Sequence, residues 1–449
     1  MATTVGTDLS RDRISNLADS TLVTILSRLC MDEAARCSIL SSRWRHLFPC
    51  TLLNFRAFTR SGRNVVKAVT SILAAYPDKP VLSLRTGMLF FRPQDQTAVD
   101  VWLRDLSNRG IEELSLWFGF DEKRRPIPES LFACNSLRRL HVINGTFPDT
   151  TEAAAASLAR LTKIELSDVR ISQNSINSLL SQCTVLEHLT IKFTGRLDSL
   201  RLRSRSLKVL NSTGDFEKLV IDDAPNLERV VDKLMNQRKV HIEVVYAPKL
   251  EFLGYVGMSN EIGIGDTISK GEIMRVETLM PRIKTLAVEM SYMKEGYTTW
   301  FMQLLRLFPH METLYITQRD SSYMVEFTAP GSWEMRRPIP CIMNHLEKVV
   351  FEVFRGHKWE MEMAKFFHRR SDFLKTMEFH CMDDKSKEDY GGPPSEQWVR
   401  KQKKLLCLDG RAAGDALFQF FKRPLAEDHH EHCDDERYQR YYYRDMYDV

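Results

Sequence analysis

Apolar residues recur along this chain in two periods. Near the start the period is helical: Leu22, Ile25, Leu26 and Leu29 fall at i, i+3, i+4 and i+7, one stripe of an amphipathic helix. Asp19 or Ser20 is the expected cap of that helix, because a side-chain oxygen there can accept the free N–H groups of the first turn. Asp32 is the expected cap of a second segment through Glu33, Ala34, Ala35, Arg36 and Cys37. A third segment starts near Ser41 and carries Trp44, Leu47 and Phe48 on one side. About forty residues are too few to bury all these groups among themselves, so part of the stripe needs the following domain or another chain.

From residue 111 the pattern becomes φ-x-x-φ-x-φ, where φ is apolar. Clear copies are Ile111-Leu114-Leu116, Leu137-Leu140-Val142, Leu161-Ile164-Leu166 and Leu186-Leu189-Ile191. Ile283-Leu286-Val288, Met311-Leu314-Ile316, Leu346-Val349-Phe351 and Leu374-Met377-Phe379 follow, and weaker copies begin at Leu207, Leu227 and Leu250. Successive starts are separated by 26, 24, 25, 21, 20, 23, 33, 28, 35 and 28 residues. The early steps fit the ~20–29-residue period of leucine-rich repeats, and the late ones imply insertions. Helical stretches lie between copies: Val99 to Leu106, Ser175 to Leu180, Trp300 to Leu305, and Trp359 to Phe367. No single strand-plus-helix unit can bury its own apolar face, so stacked neighbours must form the core. The expected architecture is α/β: three N-terminal helices, then a curved solenoid with parallel strands on its concave face and helices on its convex face.

Side chains alternate across a strand. The residues between the apolar positions are therefore expected on the solvent side of the sheet. Trp117, Arg139, His141, His188, Lys192 and Tyr315 are the candidate target-binding residues among them. Trp117 and Tyr315 stand out because aromatic side chains are frequent anchors of protein interfaces. Glu113 and Thr190 fall on the same solvent side.

Composition narrows the class. A net charge of +4 on 449 residues gives no electrostatic case for nucleic acid or a membrane surface. No apolar run approaches the ~18 residues of a membrane span. Met1 to Gly6 lacks a basic stretch followed by an apolar core, so no secretory signal is expected. Nine cysteines without a Cys-x-x-Cys pair fit a reducing compartment, the cytosol, the nucleus or both. Arg196, Arg201, Arg203, Arg205 and Lys208 offer a basic cluster for phosphate or an acidic peptide, against the plainer expectation of a solvated face. His429, His430, His432 and Cys433 lack a second pair at zinc-finger spacing, and no metal or cofactor is expected. No Gly-rich phosphate loop, Gly-x-Ser-x-Gly elbow or His-Glu-x-x-His motif is present, which leaves an enzyme reading without support.

Residues 12 to 48, from Asp12-Arg13-Ile14 through Arg43-Trp44-Arg45-His46-Leu47-Phe48, resemble the F-box of plant F-box/leucine-rich-repeat proteins. Leu179 to Leu189 resembles a repeat of that family, and Pro340 to Val349 with Phe373 to Glu378 resembles its C-terminal FBD region. The resemblance implies an F-box at 12–50, repeats at 51–339 and FBD-like repeats at 340–421, flanked by an expected flexible N-terminus at 1–11 and by a charged, Tyr-rich, aperiodic stretch at 422–449 expected to be a disordered tail. Residues 383 to 394 are expected to be a connector, with a last strand pair between Leu405 and Phe421. It further implies a non-catalytic substrate receptor of a cullin–RING ubiquitin ligase. The F-box would hold a Skp-type adaptor, and through it cullin and RING subunits, while the repeats hold a protein target. Carried over by position, the adaptor-facing residues would be Leu17, Leu22, Ile25, Leu26, Leu29, Ala35, Leu40 and Trp44. The chain departs from the family at Ala18 and Cys30, where prolines are usual and stiffen turns. Two alternatives stay open: a repeat scaffold uncoupled from ubiquitination, and a small-ligand sensor with a pocket in the arc.

Overall fold

The computed structural model describes residues 14, 16–29, 31–48, 51, 53–58, 65–86, 95–118, 124–232, 240–257, 261–264, 267–269, 280–290, 297–318, 338–381, 396–406 and 417–422. Cys30, the 383–394 connector and the His/Cys-containing tail lie outside them. The chain divides into two compact units, Met1–Leu186 and Glu187–Val449.

The first unit opens with three short helices, α1 (Asp19–Arg28), α2 (Met31–Cys37) and α3 (Ser42–Leu47). Leu22, Leu26, Ala34 and Leu47 make their common core, with Leu17, Val23, Leu29, Cys37, Trp44 and Phe48 packed at its margin. Capping differs from the sequence expectation in part. Ala18, not Asp19 or Ser20, holds the N-cap position of α1 and gives no side-chain bond. Asp19 sits in the first helical turn, where its carboxylate accepts Arg43 Nε at 2.8 Å while Arg43 Nη2 reaches the Leu17 carbonyl at 2.6 Å. This pair staples α3 to the start of α1. The second helix starts at Met31, one residue ahead of Asp32. Ser41 does cap α3, accepting from Trp44 N at 3.4 Å.

Parallel strands follow: β1 (Leu53–Phe58), β2 (Val81–Thr86), β3 (Glu113–Trp117), the short β4 (Arg125–Pro126), β5 (Arg139–Thr146) and β6 (Lys163–Arg170). They pair β1–β2–β3–β5–β6, with β4 on the far end of β5. β1 and β2 precede the first sequence copy and carry no clear φ-x-x-φ-x-φ. Between the strands run α4 (Val65–Ala75), α5 (Gln96–Asn108), a 3-10 turn at Glu129–Ala133, α6 (Glu152–Ala156) and α7 (Gln173–Gln182). Val99, Trp102, Leu103 and Leu106 form the buried stripe of α5.

The second unit begins with two long strands, β7 (His188–Arg203) and β8 (Val209–Asp223), followed by β9 (Arg229–Asp232), β10 (His241–Val244), β11 (Phe252–Val256), β12 (Glu261–Ile264) and β13 (Thr267–Ser269). The first halves of β7 and β8 pair with each other and then with β9 and β11. The second halves pair through Leu200↔Leu219 and continue into β10 and β12, with β13 antiparallel at the end. In this stretch the return leg of each repeat is thus a strand rather than a helix. Geometry explains why these are the copies with 21-, 20- and 23-residue steps. A ten-residue helix climbs ~15 Å, and a strand makes the same climb in about half as many residues.

Helical returns then resume. β14 (Thr285–Met290), α8 (Tyr297–Arg306), β15 (Thr313–Gln318), α9 (Pro340–Asn344), β16 (Lys348–Phe354), α10 (Lys358–Arg370), β17 (Thr376–Cys381), α11 (Glu396–Leu406) and β18 (Leu417–Lys422) complete the chain's described elements. β11, β14, β15, β16, β17 and β18 are parallel neighbours in that order. Leu405 lies in the last turn of a helix, so the expected final strand pair is one helix and one strand. In both units each strand begins two residues after the first apolar residue of its copy, which is itself buried below the sheet.

Cysteine recurs in this packing. Cys134, Cys183 and Cys341 each donate Sγ–H to a carbonyl of an earlier segment, Leu103, Leu158 and Leu305, at 3.4 Å. Burial pushes each of these thiols up to about 12. They are structural groups that tie one return leg to the next.

Candidate functional site

Two surfaces remain after the cores are assembled: the outside of the helical bundle and the solvent face of the sheets. On the bundle, the helical stripe splits. Leu22 and Leu26, expected to face an adaptor, are 0% and 1% exposed and close the bundle's own core. The reason is steric, since α2 and α3 pack on that face of α1. Ile25 is 39% exposed and Leu40 71%, so both are available to a partner. Leu17, Leu29 and Trp44 are half-buried at the core's margin, and Ala35 is half-buried. Sequence reasoning missed Ile39, the most exposed large apolar side chain of this region at 76%. Ile39 and Leu40 occupy the turn from α2 to α3, which is fixed by Ile39 N to Arg36 O and Leu40 N to Cys37 O at 3.1 and 3.0 Å. A hydrogen-bonded turn that presents two aliphatic side chains to water is a feature of docking surfaces.

On the first unit's sheet, Trp117 is buried, contrary to its expected solvent role. Its ladder neighbour is Ile143, also buried, and adjacent apolar side chains on one face shield each other. Glu113 is buried as well, and takes Ser83 Oγ at 3.3 Å, Arg85 Nη2 at 3.5 Å and an ion pair with Arg139. Arg139 is exposed but engaged there. His141 is half-buried, with Nδ1 3.2 Å from Ser115 Oγ. These residues are bound to one another in a polar ladder.

The second unit carries the richer face. His188 and Lys192 are half-buried, and Thr190 between them is buried rather than solvated. Three members of the basic cluster are paired with acids, and Arg205 is exposed. Arg201 and Arg203 both bind the Asp222 carboxylate, at 3.1 and 2.8 Å, and Lys208 binds Glu187 at 2.9 Å. Desolvation opposes the charge of Asp222, yet the bonds from Arg201 and Arg203 hold its pKa below the ordinary value. Further along, Tyr315 is half-buried, and its ring lies 6.3 Å from Phe252. The Arg229 guanidinium sits 3.7 Å from the Phe252 ring centroid. Beside them Tyr255 donates its hydroxyl to Glu352, 2.7 and 2.8 Å from the two carboxylate oxygens. Arg229, Phe252, Tyr255 and Glu352 thus join Tyr315 in one cluster drawn from four strands. Arg229 and Phe252 escape sequence reasoning because their repeats are the weak copies, whose pattern does not single out a solvent face.

Past this cluster, Ser212 Oγ donates to Asp232 at 2.8 Å, in a position 1% exposed. Burial pushes Asp232 up to about 7, with the Ser212 bond opposing and the Glu289 charge adding. An open depression of about 720 Å³ lies among the residues that lead into the strands. Its lining mixes Glu228, Glu251 and Glu312 with Lys249, Arg282 and Lys284. Among the described residues no three His, Cys, Asp or Glu side chains form a metal-holding group. No helix of the described residues is long and apolar enough to cross a membrane.

Comparison with known proteins agrees with this arrangement. Residues 99–316 match the family described as FBD-associated F-box protein At5g56370, LRR repeats, and residues 334–379 match the FBD family. The Arabidopsis thaliana F-box/FBD/LRR-repeat protein At5g56420 is 24% identical, over 82% of this chain and 90% of that protein. The FBD-associated F-box protein At4g10400 of the same plant is 25% identical, over 81% and 91%. Among solved structures, a leucine-rich-repeat protein of Leptospira interrogans aligns with 84% of this chain and 91% of that one, at 14% identity and a TM-score of 0.33. With a strand-and-return repeat in each unit, family matches over residues 99–316 and 334–379, and relatives of one kind along most of its length, the chain is similar to the plant F-box/FBD/leucine-rich-repeat proteins.

Proposed function

We propose that this protein is a non-catalytic substrate receptor of a Skp–cullin–F-box ubiquitin ligase, acting in the cytosol, the nucleus or both. In this reading the bundle of α1, α2 and α3 holds the Skp-type adaptor, and the repeat sheets hold a protein target. The contribution to catalysis is proximity: a tethered target presents its lysines to the conjugating enzyme at high effective concentration. The observation that carries the reading is the split of the α1 stripe. Leu22, Leu26, Ala34 and Leu47 complete an inner core, while Ile25, Ile39 and Leu40 are left outside it on ordered backbone. Folding of the bundle gives no reason for those three to be aliphatic.

The test is co-purification of the full chain with a Skp-type adaptor and cullin. Wild type is expected to retain both, and Ile25→Arg/Leu40→Arg to lose both while keeping its melting temperature, because neither side chain belongs to the core. Failure of wild type to bind the adaptor, in a folded preparation, would favour the uncoupled repeat scaffold.

A further inference from the structure

Arg229 is half-buried, unlike the exposed Arg205, and is not paired with an acid as Arg201 and Arg203 are. Arg201 and Arg203 are tied to Asp222. Among the described residues no hydrogen bond or ion pair reaches the Arg229 guanidinium, which sits over the Phe252 ring. The nearby acid, Glu352, is already engaged by the Tyr255 hydroxyl. In register Arg229 lies between Val209 and Phe252, so neither strand neighbour in its row offers an acceptor. Burial lowers the pKa of this group, with Tyr315, Tyr255 and Glu352 acting in the opposite direction. A half-buried cation held over an aromatic ring keeps its planar fork of donors oriented before any ligand arrives.

We propose that Arg229, laid on Phe252 and flanked by Tyr315, is the anchor for an Asp or Glu side chain of a protein that docks on this sheet face. The proposal rests on the reading of the repeats as a protein-binding surface and names the chemistry that surface selects. A carboxylate fits the fork bidentately, with one negative charge against one positive charge. A phosphoryl dianion fits less well, because a single guanidinium would have to balance it beside the Glu352 charge. Phe252 and Tyr315 supply apolar walls around the ion pair, which raise its strength by excluding water.

The test uses the purified full chain and degenerate twelve-residue peptide pools. Each pool has one fixed central residue: Asp, Glu, Asn, Gln, phosphoserine or Lys. Wild type should retain the Asp and Glu pools about tenfold better than their amide counterparts. Arg229→Gln should abolish that preference, and Arg229→Lys should restore part of it as a point charge without the fork. Arg229→Glu should shift retention to the Lys pool. The site is half-exposed, so circular dichroism and melting temperature should match wild type in all three variants. Equal retention of acid and amide pools, no retention of any pool, an unchanged preference in Arg229→Gln, or phosphoserine exceeding Asp and Glu would each overturn the proposal. Adaptor and cullin are absent from this experiment, so its failure leaves the co-purification result standing, and the reverse also holds.

Discussion

Ala18 occupies the N-cap of α1 at φ −64° and ψ 149°, a φ that proline would impose. The family's usual proline is missing here, but the backbone geometry it would fix is present. Its N–H makes no hydrogen bond among the described residues. Ala18→Pro should therefore stabilise the protein by ~0.4–1 kcal/mol, by restricting the unfolded chain, and thermal melting would register the gain. Asp232 is the opposite case, a residue whose chemistry the fold opposes. Below its ordinary pKa of 3.8 it is protonated in folded and unfolded chains alike, so it adds no pH dependence. As pH rises towards about 7 the unfolded chain releases the proton while the folded chain keeps it, and stability falls; above about 7 the loss levels off. Asp232→Asn keeps an acceptor for Ser212 and has no charge to bury. It should match wild type in urea at pH 4 and exceed it at pH 8 by ~2–4 kcal/mol. Equal stabilities at pH 8 would show that Asp232 is charged in the fold at no cost.

At the scale of elements, spacing between neighbouring strands sets what can be substituted beneath the Arg229 cluster. A Cβ on Gly254 of β11 would collide with the Cβ of Ala287 on β14. Gly254→Ala should force the two strands apart and cost ~1–3 kcal/mol, and Gly254→Ala/Ala287→Gly should recover most of it. Denaturant midpoints of the three variants would decide. Glu360 of α10 illustrates an element end that the sequence suggested poorly. Its buried carboxylate accepts Arg355 N and His357 N at 3.2 and 2.7 Å, closing the start of the helix from inside. Nothing in the polar letter Glu marks it as a core residue. The same difficulty hid β1 and β2, whose sequences lack the repeat pattern, and turned the expected final strand pair into α11 and β18.

Across the whole molecule, cysteines report on each unit. Cys134 and Cys183 lie in Met1–Leu186, Cys341 and Cys381 in Glu187–Val449, and burial pushes each up to about 12. Iodoacetamide at neutral pH should spare all four in the native chain. With rising urea the two thiols of one unit should become reactive at a shared midpoint, because stacked repeats open as cooperative neighbours. Four unrelated midpoints would contradict that coupling. What the amino-acid order determined was the repeat. Within each unit the copies from Ile111 to Phe379 are strands in register with their neighbours, since apolar spacing decides which side of a strand leaves water. The order also placed the three N-terminal helices and the helical returns at α5, α7, α8 and α10. Tertiary structure decided which members of each set stay accessible. Leu22 and Ile25 share a stripe, yet one is core and the other surface, because packing partners from α2 and α3 cover part of its width. Trp117 and Tyr315 alternate to the same side of their strands, two positions apart in the copy, but Trp117 is shielded with Ile143 while Tyr315 stays half-open beside Phe252. Arg229 was one charge among many until the fold gave Asp222 to Arg201 and Arg203 and Glu352 to Tyr255. Periodicity is a local property that a short window contains, whereas exposure and pairing depend on residues tens of positions away.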